Sequence, residues 1–251
     1  ESVEISLSGI RGSVATPLGT VAVDSPLLGD FNVENLLCAI GAAVALHVSP
    51  REIAAGINAA RGVPDRLEQV ENDRGAVILV DYAHTGDALR RVLEALQKLS
   101  PQRILTLFGC GGDRDRSKRP IMAEVAASSS DITIATSDNP RTEDSQQIID
   151  DVCAGLQHPE AAHIDHNRAH AINWAMQSAA ADDIVLIAGK GHEAYQEFGN
   201  RTVSFDDRIK AEEALRAAGL ISGRYDAVKV LGNGDLERKL TVAVDAVSAS
   251  A

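Results

Sequence analysis

The sequence has few aromatic residues and few cysteines, and both shortages limit what the protein can be. Aromatic residues make up 3% of the 251 residues, which disfavours an aromatic-rich binding sandwich and favours helices packed on a sheet. The three cysteines, Cys38, Cys110 and Cys153, are odd in number and lack CxxC spacing. They therefore exclude a disulfide scaffold and a zinc knuckle and fit a reducing cytoplasm, where we expect the protein.

Positive charge and long apolar runs are also scarce. The net charge of -12 excludes nucleic acid as the expected partner, so the basic cluster of Arg114, Arg116, Lys118 and Arg119 is interpreted as a local anion site. No apolar run approaches the roughly 20 residues that cross a bilayer, and no signal segment opens the chain. We expect no membrane partner and a chain that begins inside a folded unit.

Apolar content of 45% supplies a core, and strand and helix patterns alternate along most of the chain. This alternation predicts an α/β fold with a Rossmann-like, mostly parallel sheet. Predicted strands lie at 76–81, 103–108, 131–137, 163 and 183–188, and predicted helices at 32–47, 50–60, 87–99, 119–128, 144–156, 167–181 and 209–218. A break at residues 62–65 divides residues 1–63 from a domain at 64–220, and residues 221–251 are predicted to form a hairpin-like tail.

The strongest local signal is Asp138-Asn139-Pro140-Arg141, which follows the predicted strand 131–137. Arg141 can hold a carboxylate with two parallel N–H bonds, Asn139 can donate and accept, and Pro140 stiffens the backbone. The motif indicates a small-molecule carboxylate site. An ordinary Asn-Pro turn with a solvated arginine is the alternative.

Two further charged loops follow strands, at residues 109–116 and 189–193. At the carboxyl ends of parallel strands the three loops would lie side by side, where open α/β sheets bind ligands. Gly109 to Gly112 can cradle an anion with backbone N–H groups, although a self-neutralising ion network over residues 113–116 is equally open. Glu193 suits a ligand ammonium group, and Lys190 a phosphate or carboxylate. HExxH is incomplete after His192, so no metal site is predicted.

Asp81 and His84 end the first predicted strand of the alternating region. Asp81 can accept hydrogen bonds from ribose hydroxyls, and His84 can contact phosphate. The alternative is a helix-capping aspartate, for which Asp87 is the more obvious candidate.

Together, six motifs resemble the carboxyl-terminal half of a Mur ligase of the diaminopimelate-adding type, over residues 1 to about 220. The matching runs are Leu28-Gly-Asp-Phe-Asn-Val-Glu-Asn35, Asp81-Tyr-Ala-His-Thr85, Phe108-Gly-Cys-Gly-Gly-Asp-Arg-Asp115, Lys118-Arg-Pro120, Asp138-Asn-Pro-Arg141 and Ala188-Gly-Lys-Gly-His-Glu193.

The resemblance implies an ATP- and Mg²⁺-dependent enzyme of peptidoglycan synthesis, hence of cell wall, cell shape and cell division. Such enzymes join an amino acid to a UDP-N-acetylmuramoyl dipeptide through an acyl phosphate. It implies that residues 1–63 are a partial central ATP-binding domain. It assigns meso-2,6-diaminopimelate, with Arg141 on the distal carboxylate, to Arg114, Asp138, Asn139, Pro140, Arg141, Gly189 and Glu193. It places ATP near Asn32, Asn35, Arg66, Asp81 and His84, and it assigns no catalytic residue.

The chain departs from the family in lacking a GxxxxGK[ST] phosphate loop, so phosphoryl transfer should be severely impaired. We therefore expect a fragment that supplies the amino-acid-binding domain and binds no cofactor tightly alone, with a missing amino-terminal half as partner. A non-catalytic diaminopimelate-binding module and a purely structural fragment are the alternatives. The tail from about Tyr225 weakly resembles the end of ribosomal protein L fifteen, and a fusion or a misjoined reading frame would both explain it.

Overall fold

The computed structural model describes residues 3–60 and 66–221, all within one compact unit that ends at Ile221. The predicted break at residues 62–65 falls within residues 61–65, which lie outside the described residues. The predicted hairpin of the tail, residues 222–251, also lies outside them. The three-part division of the chain therefore stays a prediction.

Residues 3–60 form a small antiparallel sheet with two helices. Strands β1, β2 and β3 pair in chain order, and β3 pairs with β2 along its whole length. These elements are β1 (Val3–Ser6), β2 (Gly9–Thr16), β3 (Gly19–Ser25), α1 (Phe31–Ala45) and α2 (Pro50–Ala59). Helix α2 begins with a capping box, because the Ser49 side chain accepts from the Glu52 amide and the Glu52 carboxylate accepts from the Ser49 amide.

Residues 66–221 form a six-stranded sheet with helices on both faces. A separate two-stranded hairpin lies between β9 and α7 in the chain. The sheet order is β4-β5-β9-β6-β7-β8; β4 runs antiparallel and the other five strands run parallel. The elements are β4 (Glu68–Val70), β5 (Val77–Asp81), α3 (Gly86–Gln97), β6 (Ile104–Cys110), α4 (Lys118–Ser129), β7 (Ile132–Ser137), α5 (Ser145–Cys153), β8 (His163–Asp165), α6 (Arg168–Ser178), β9 (Ile184–Ala188), β10 (Tyr195–Phe198), β11 (Arg201–Ser204) and α7 (Asp207–Ala217). The predicted Rossmann-like, mostly parallel sheet is confirmed.

Two separate apolar cores cover the two faces of this sheet. Helices α3, α4 and α5 pack on one face with Leu79, Phe108 and Leu186, and helices α6 and α7 pack on the other with Leu107 and Ile187. Because both faces are covered, strands β5, β6 and β9 are buried at every residue, which explains their continuous apolar runs. Within the part of the chain that the structure describes, no helix is long and apolar enough to span a membrane.

The three polar loops meet at one edge of the sheet, as predicted. Strand β6 lies between β9 and β7, so the loops that follow these strands are neighbours. The chain leaves β6 for helix α4 on one face of the sheet and leaves β9 for helix α7 on the other face. The connections therefore diverge between these neighbouring strands, which is where open α/β sheets form a ligand crevice.

The hairpin of β10 and β11 was not predicted from the sequence, and it lies against the loop at residues 138–141. Arg141 forms an isolated bridge with Phe198. The Arg141 amide donates to the Glu197 carbonyl at 3.0 Å, and the Gly199 amide donates to the Arg141 carbonyl at 2.6 Å. The hairpin therefore forms one wall of the predicted site.

Candidate amino-acid site

The Asn139 side chain joins three segments at the carboxyl edge of the sheet. Its Nδ2 donates to Glu193 Oε2 at 2.7 Å. Its Oδ1 accepts from Lys190 Nζ at 3.2 Å and from the Glu197 amide at 3.1 Å. The side chain is 1% exposed, so these bonds fix its orientation and place Glu193 against it.

Lys190 is the buried cation of this network. Its Nζ donates to the Tyr195 carbonyl at 2.6 Å and lies 3.4 Å from Glu193 Oε2 and 3.7 Å from Asp138 Oδ1. Its side chain is 0% exposed, so the interpretation of Lys190 as a direct ligand contact is wrong. Its charge instead offsets two carboxylates, one of them buried, that would otherwise be costly to desolvate.

Arg141 is held in place by both its backbone and its side chain. Its φ of 52° lies in the left-handed region, which is costly for a side chain other than glycine and persists where the surroundings enforce it. Nε lies 3.0 Å from Glu197 Oε2, and Nη1 donates to the Gly112 carbonyl at 2.8 Å. A guanidinium has five N–H donors, so the group retains capacity for a ligand carboxylate.

Arg114 lies beside Arg141, as predicted for residues of one site. A Cβ placed on Gly111 would lie 2.9 Å from Arg141 Nη1 and 3.7 Å from Arg114 Cγ. Arg114 is exposed, and its Nη1 contacts the carbonyl of Asp113 at 3.4 Å. Two arginines therefore flank Gly111, one fixed and one facing solvent.

The glycines of the β6 loop allow close packing of neighbouring loops. The Gly112 amide donates to the Asn139 carbonyl at 2.8 Å, and a Cβ on Gly112 would lie 1.9 Å from the Pro140 carbonyl oxygen. The predicted anion cradle is therefore wrong at Gly112, whose N–H is used within the protein. Gly189, at φ 112°, similarly allows Asp138 to approach, because its Cβ would lie 3.2 Å from Asp138 Oδ2.

Three of the four cations in the predicted anion cluster have partners within the protein. Arg119 is 0% exposed and pairs with Glu143 and Asp151 at 2.8 Å, and Arg116 contacts the same two carboxylates. Lys118 Nζ donates to the His84 carbonyl at 3.0 Å. The interpretation of the cluster as an anion site is therefore wrong for the buried Arg119 and stays a prediction for Arg116 and Lys118.

Asp81, at the end of β5, holds the backbone of the segment that follows Arg66. Asp81 is buried, and its carboxylate accepts from the Leu67 amide at 2.9 Å and from the Ala83 amide at 2.8 Å. The first bond tethers the residue that follows the exposed Arg66. Neither Asp81 nor Asp87 caps helix α3, because Thr85 is its N-cap and accepts from the Ala88 amide.

His84 lies in a small group of rings beside this strand end. Its Nδ1 lies 2.9 Å from the Tyr82 carbonyl, and its ring centroid is 4.5 Å from that of Tyr82. The Tyr82 ring lies 5.7 Å from the ring of His192. The ends of β5 and β9 are thus connected by aromatic contacts.

Asn32 and Asn35 lie apart from these residues, at the start of α1. Asn32 Nδ2 donates to the Leu28 carbonyl at 2.7 Å, and Asn35 Nδ2 donates to Asn32 Oδ1 at 3.0 Å. The neighbouring Asp30 pairs with Lys98, at the end of α3 that is remote from the site. The structure does not gather the five predicted ATP residues, and their role stays a prediction.

Three functional candidates were not predicted from the sequence: Glu197, Arg168 and Asp207. Glu197 pairs with Arg141 and lies in the unpredicted hairpin, whose signal is the Gly199-Asn200 turn between two short runs. Arg168 and Asp207 form a fully buried ion pair, and no local pattern reveals such pairing. Among residues 3–60 and 66–221, no group of three or more His, Cys, Asp or Glu side chains could hold a metal ion.

The chain matches two protein-family models. The model described as "Mur ligase, glutamate ligase domain" matches residues 65–191, which contain six of the seven predicted amino-acid contacts; Glu193 lies two residues beyond the match. The model described as "Ribosomal proteins 50S-L15, 50S-L18e, 60S-L27A" matches residues 198–251, in agreement with the resemblance noted for the tail. Residues 201–217 of that second match form β11 and α7 in the structure.

Curated and solved relatives agree with the first model. The UDP-N-acetylmuramoyl-L-alanyl-D-glutamate--2,6-diaminopimelate ligase of Gloeobacter violaceus is 48% identical over 216 residues, covering 86% of this chain and 44% of the relative. The ligase of the same name from Geobacter sulfurreducens is 47% identical, covering 87% and 46%. A solved structure of a ligase with that name has a TM-score of 0.72 and 41% identity, covering 87% and 45%. The chain thus spans less than half the length of these relatives.

Proposed function

Because the chain belongs to the Mur ligase family, we propose that it supplies the amino-acid-binding domain of a peptidoglycan ligase. The intact enzyme would use ATP and Mg²⁺ to add meso-2,6-diaminopimelate to UDP-N-acetylmuramoyl-L-Ala-D-Glu. We place the protein in the cytoplasm, which fits its free cysteines. The names of the relatives that span 86% of the chain support the choice of substrate.

The observation that carries the proposal is a continuous network that ends in opposite charges. Glu193 bonds to Asn139, Asn139 bonds to the Glu197 amide, and the Glu197 carboxylate pairs with Arg141. Diaminopimelate carries ammonium groups and carboxylates at both ends. We assign an ammonium group to Glu193 and the distal carboxylate to Arg141, since guanidinium groups bind carboxylates with paired hydrogen bonds.

This assignment predicts discrimination against L-lysine, which has the distal amine but no distal carboxylate. Lysine would leave the Arg141 and Arg114 guanidinium groups without a ligand anion. A site built for a charged hydrogen bond rejects analogues that lack the group more strongly than a hydrophobic pocket rejects a missing methylene.

The test is calorimetric binding of meso-diaminopimelate and of L-lysine to the purified chain and to Arg141→Ala. The substitution should weaken diaminopimelate binding by about 1.5–3 kcal/mol, or roughly ten- to a hundredfold, because a charged hydrogen bond is lost. Lysine binding should change little. Arg91→Ala is the control, since Arg91 pairs with Asp87 on the exposed face of α3.

An unchanged diaminopimelate affinity in Arg141→Ala would contradict the role of Arg141. Equal affinities of the wild-type chain for diaminopimelate and lysine would contradict the substrate assignment itself.

For ATP, the described residues offer only part of a site. Both oxygens of Asp81 already accept backbone amides, which leaves Arg66 and His84 as the freer polar groups near that strand end. The sequence contains no GxxxxGK[ST] loop. We therefore assign no step of phosphoryl transfer to residues of this chain and propose that the intact enzyme supplies that chemistry from elsewhere.

A second candidate is a diaminopimelate-binding module without turnover. The observation that favours it is that the whole network lies within residues 111–197 and needs no other segment of the chain. Diaminopimelate-dependent release of ADP from ATP by the chain alone would contradict this candidate. Loss of that release in Asp81→Ala would support the predicted nucleotide role of Asp81.

A third candidate, a purely structural fragment, fits residues 3–60 better than the rest. Apolar side chains of α1 are exposed at Leu37 and Cys38, and Leu46, directly after the helix, is also exposed. A folded chain that binds neither ligand would favour this candidate over the other two.

A further inference from the structure

A fully buried ion pair joins the first residues of helices α6 and α7, which pack on the same face of the six-stranded sheet. Arg168 opens α6 and Asp207 opens α7, and both side chains are 0% exposed. The pair is bidentate, since Arg168 Nε donates to Asp207 Oδ1 at 2.7 Å and Nη2 donates to Oδ2 at 2.6 Å. This geometry fixes the plane of the guanidinium.

The same guanidinium contacts both strands that lead into the amino-acid site. Nη2 donates to the carbonyl of Ala188 at 3.0 Å, and Nη1 lies 3.4 Å from the carbonyl of Ser137. Ala188 ends β9 and precedes Gly189, while Ser137 ends β7 and precedes Asp138. One side chain therefore connects the backbone immediately before the two loops that carry Asn139, Arg141 and Glu193.

We infer that Arg168, oriented by Asp207, is a positioning residue that sets the spacing of these two loops. The inference rests on the proposed function, because it concerns the same amino-acid site. Arg168 is fully buried, so its effect on the site passes through the Ser137 and Ala188 carbonyls.

Simple stabilisation does not explain this arrangement. Desolvation offsets much of the Coulomb gain of a buried ion pair, and apolar replacement of such pairs is often neutral for stability. The Arg168 guanidinium presents five N–H donors in one plane, and here it contacts two carbonyls and one carboxylate. An apolar residue cannot make these contacts. A lysine offers a point charge in place of that fork.

The electrostatics of the pair also extend into the site. Burial acts to lower the pKa of Arg168, but the charges of Asp207, Asp138 and Glu193 outweigh this effect, and the pKa is raised. The guanidinium thus stays charged and attracts the two site carboxylates as well as its own partner.

The chain provides a more exposed control pair at the opposite end of the same elements, in which the Arg103 side chain is 40% exposed. Arg103 pairs with Asp183, which directly precedes β9, and donates to the carbonyl of Ser178, the last residue of α6. The Asp183 side chain is 1% exposed. The Arg103–Asp183 pair therefore also connects β9 to α6, but at the edge of the sheet remote from the site.

The experiment compares Arg168→Lys with Arg103→Lys in the full chain. Amide hydrogen exchange is measured at Gly112, Arg141, Gly189 and Glu193, which lie in the site loops and whose amides each donate a backbone hydrogen bond. Meso-diaminopimelate binding is measured by calorimetry on the same samples. We expect Arg168→Lys to accelerate exchange at these amides at least tenfold and to weaken binding at least tenfold, while Arg103→Lys changes both by less than twofold.

Equal effects of the two substitutions, or unchanged exchange in Arg168→Lys, would overturn the inference. If Arg168→Lys does not fold, Asp207→Asn tests the same pair, because it removes the orienting charge and leaves the fork in place. If the wild-type chain binds no diaminopimelate, the proposed function fails, and the exchange comparison still decides whether Arg168 positions the two loops.

Discussion

Residues 3–60 and residues 66–221 differ in how completely they bury their own apolar surface. The six-stranded sheet of residues 66–221 has a core on each face. Residues 3–60 have one small core, and they expose Leu37 on α1 and Leu46 at its C-cap, the latter 77% exposed. Both faces of the large sheet are therefore covered, whereas α1 presents apolar side chains without a partner among the described residues.

Residues 3–60 and 66–221 also differ in how their polar side chains are connected. Asn139 and Lys190 are buried at the carboxyl edge of the sheet and take part in a connected network. Asn32 and Asn35, at the start of α1, bond to each other and to the carbonyl of Leu28. The residues of the proposed amino-acid site are therefore connected within this chain, while the predicted nucleotide residues near α1 do not join that network.

The sharpest test of this comparison removes core volume from the sheet domain. Leu107 is 0% exposed on central strand β6, so Leu107→Ala should lower the free energy of unfolding by about 2–5 kcal/mol through lost burial and a cavity. Leu46→Ala, at the exposed C-cap of α1, should change it by less than about 0.5 kcal/mol. Urea denaturation measures both, and a large loss in Leu46→Ala would show that this end of α1 is covered.

The next test uses a glycine at which a side chain has no room. In Gly112→Ala the added Cβ would meet the Pro140 carbonyl oxygen at 1.9 Å, so the loop at residues 138–141 must move. We expect a loss of about 1–3 kcal/mol in unfolding free energy and weaker diaminopimelate binding. Denaturation and calorimetry measure the two effects, and unchanged binding would show that the site tolerates a displaced loop.

A pH comparison separates the ion network of the sheet domain from the helix cap of residues 3–60. Hydrogen bonds from Arg119 hold the pKa of Glu143 below its ordinary value against the opposing effect of burial. Such a group stabilises the fold above its unfolded pKa of about 4.3 and loses that contribution as the pH falls through the lower folded pKa.

Wild type should therefore exceed Glu143→Gln in unfolding free energy at pH 7, and the difference should shrink towards pH 3. Hydrogen bonds from Ser49 also lower the pKa of Glu52, but that group is exposed. Glu52→Gln should accordingly show a smaller pH-dependent difference. A difference in Glu143→Gln that does not vary with pH would contradict the role of charge there.

The smallest expected change is a gain in the free energy of unfolding. Gly41 lies within α1, and a Cβ there meets nothing within 4 Å. Gly41→Ala should therefore raise the free energy of unfolding by about 0.5–1 kcal/mol, because alanine has the higher helix propensity. Thermal and urea denaturation measure the gain. A loss of stability would mean that α1 has a close neighbour on this side.

The sequence predicted the sheet well because its central strands are buried on both faces and contain continuous apolar runs. It also placed Asn139, Arg141 and Glu193 together, since loops after adjacent parallel strands must meet. It did not predict β4, which is three residues long, or the hairpin of β10 and β11, although the Gly199-Asn200 turn was a usable signal.

Buried charges were the main source of error, because burial depends on tertiary pairing that local patterns do not encode. Lys190 was interpreted as a ligand contact, whereas it bonds to the Tyr195 carbonyl and Asn139 inside the protein. Arg119 was interpreted as part of an anion site, whereas it pairs with Glu143 and Asp151. In each case the sequence gives the charge but not the partner that the fold brings to it.

The central claim is that this chain carries an organised diaminopimelate site at the carboxyl edge of its sheet. The most direct measurement is a titration of the isotopically labelled chain with meso-diaminopimelate, followed by the amide chemical shifts of each residue. The account predicts saturable shifts at Asn139, Arg141, Gly189 and Glu193 and none at Asn32 and Asn35. Shifts confined to residues outside the three loops, or no shifts in the folded chain, would contradict it.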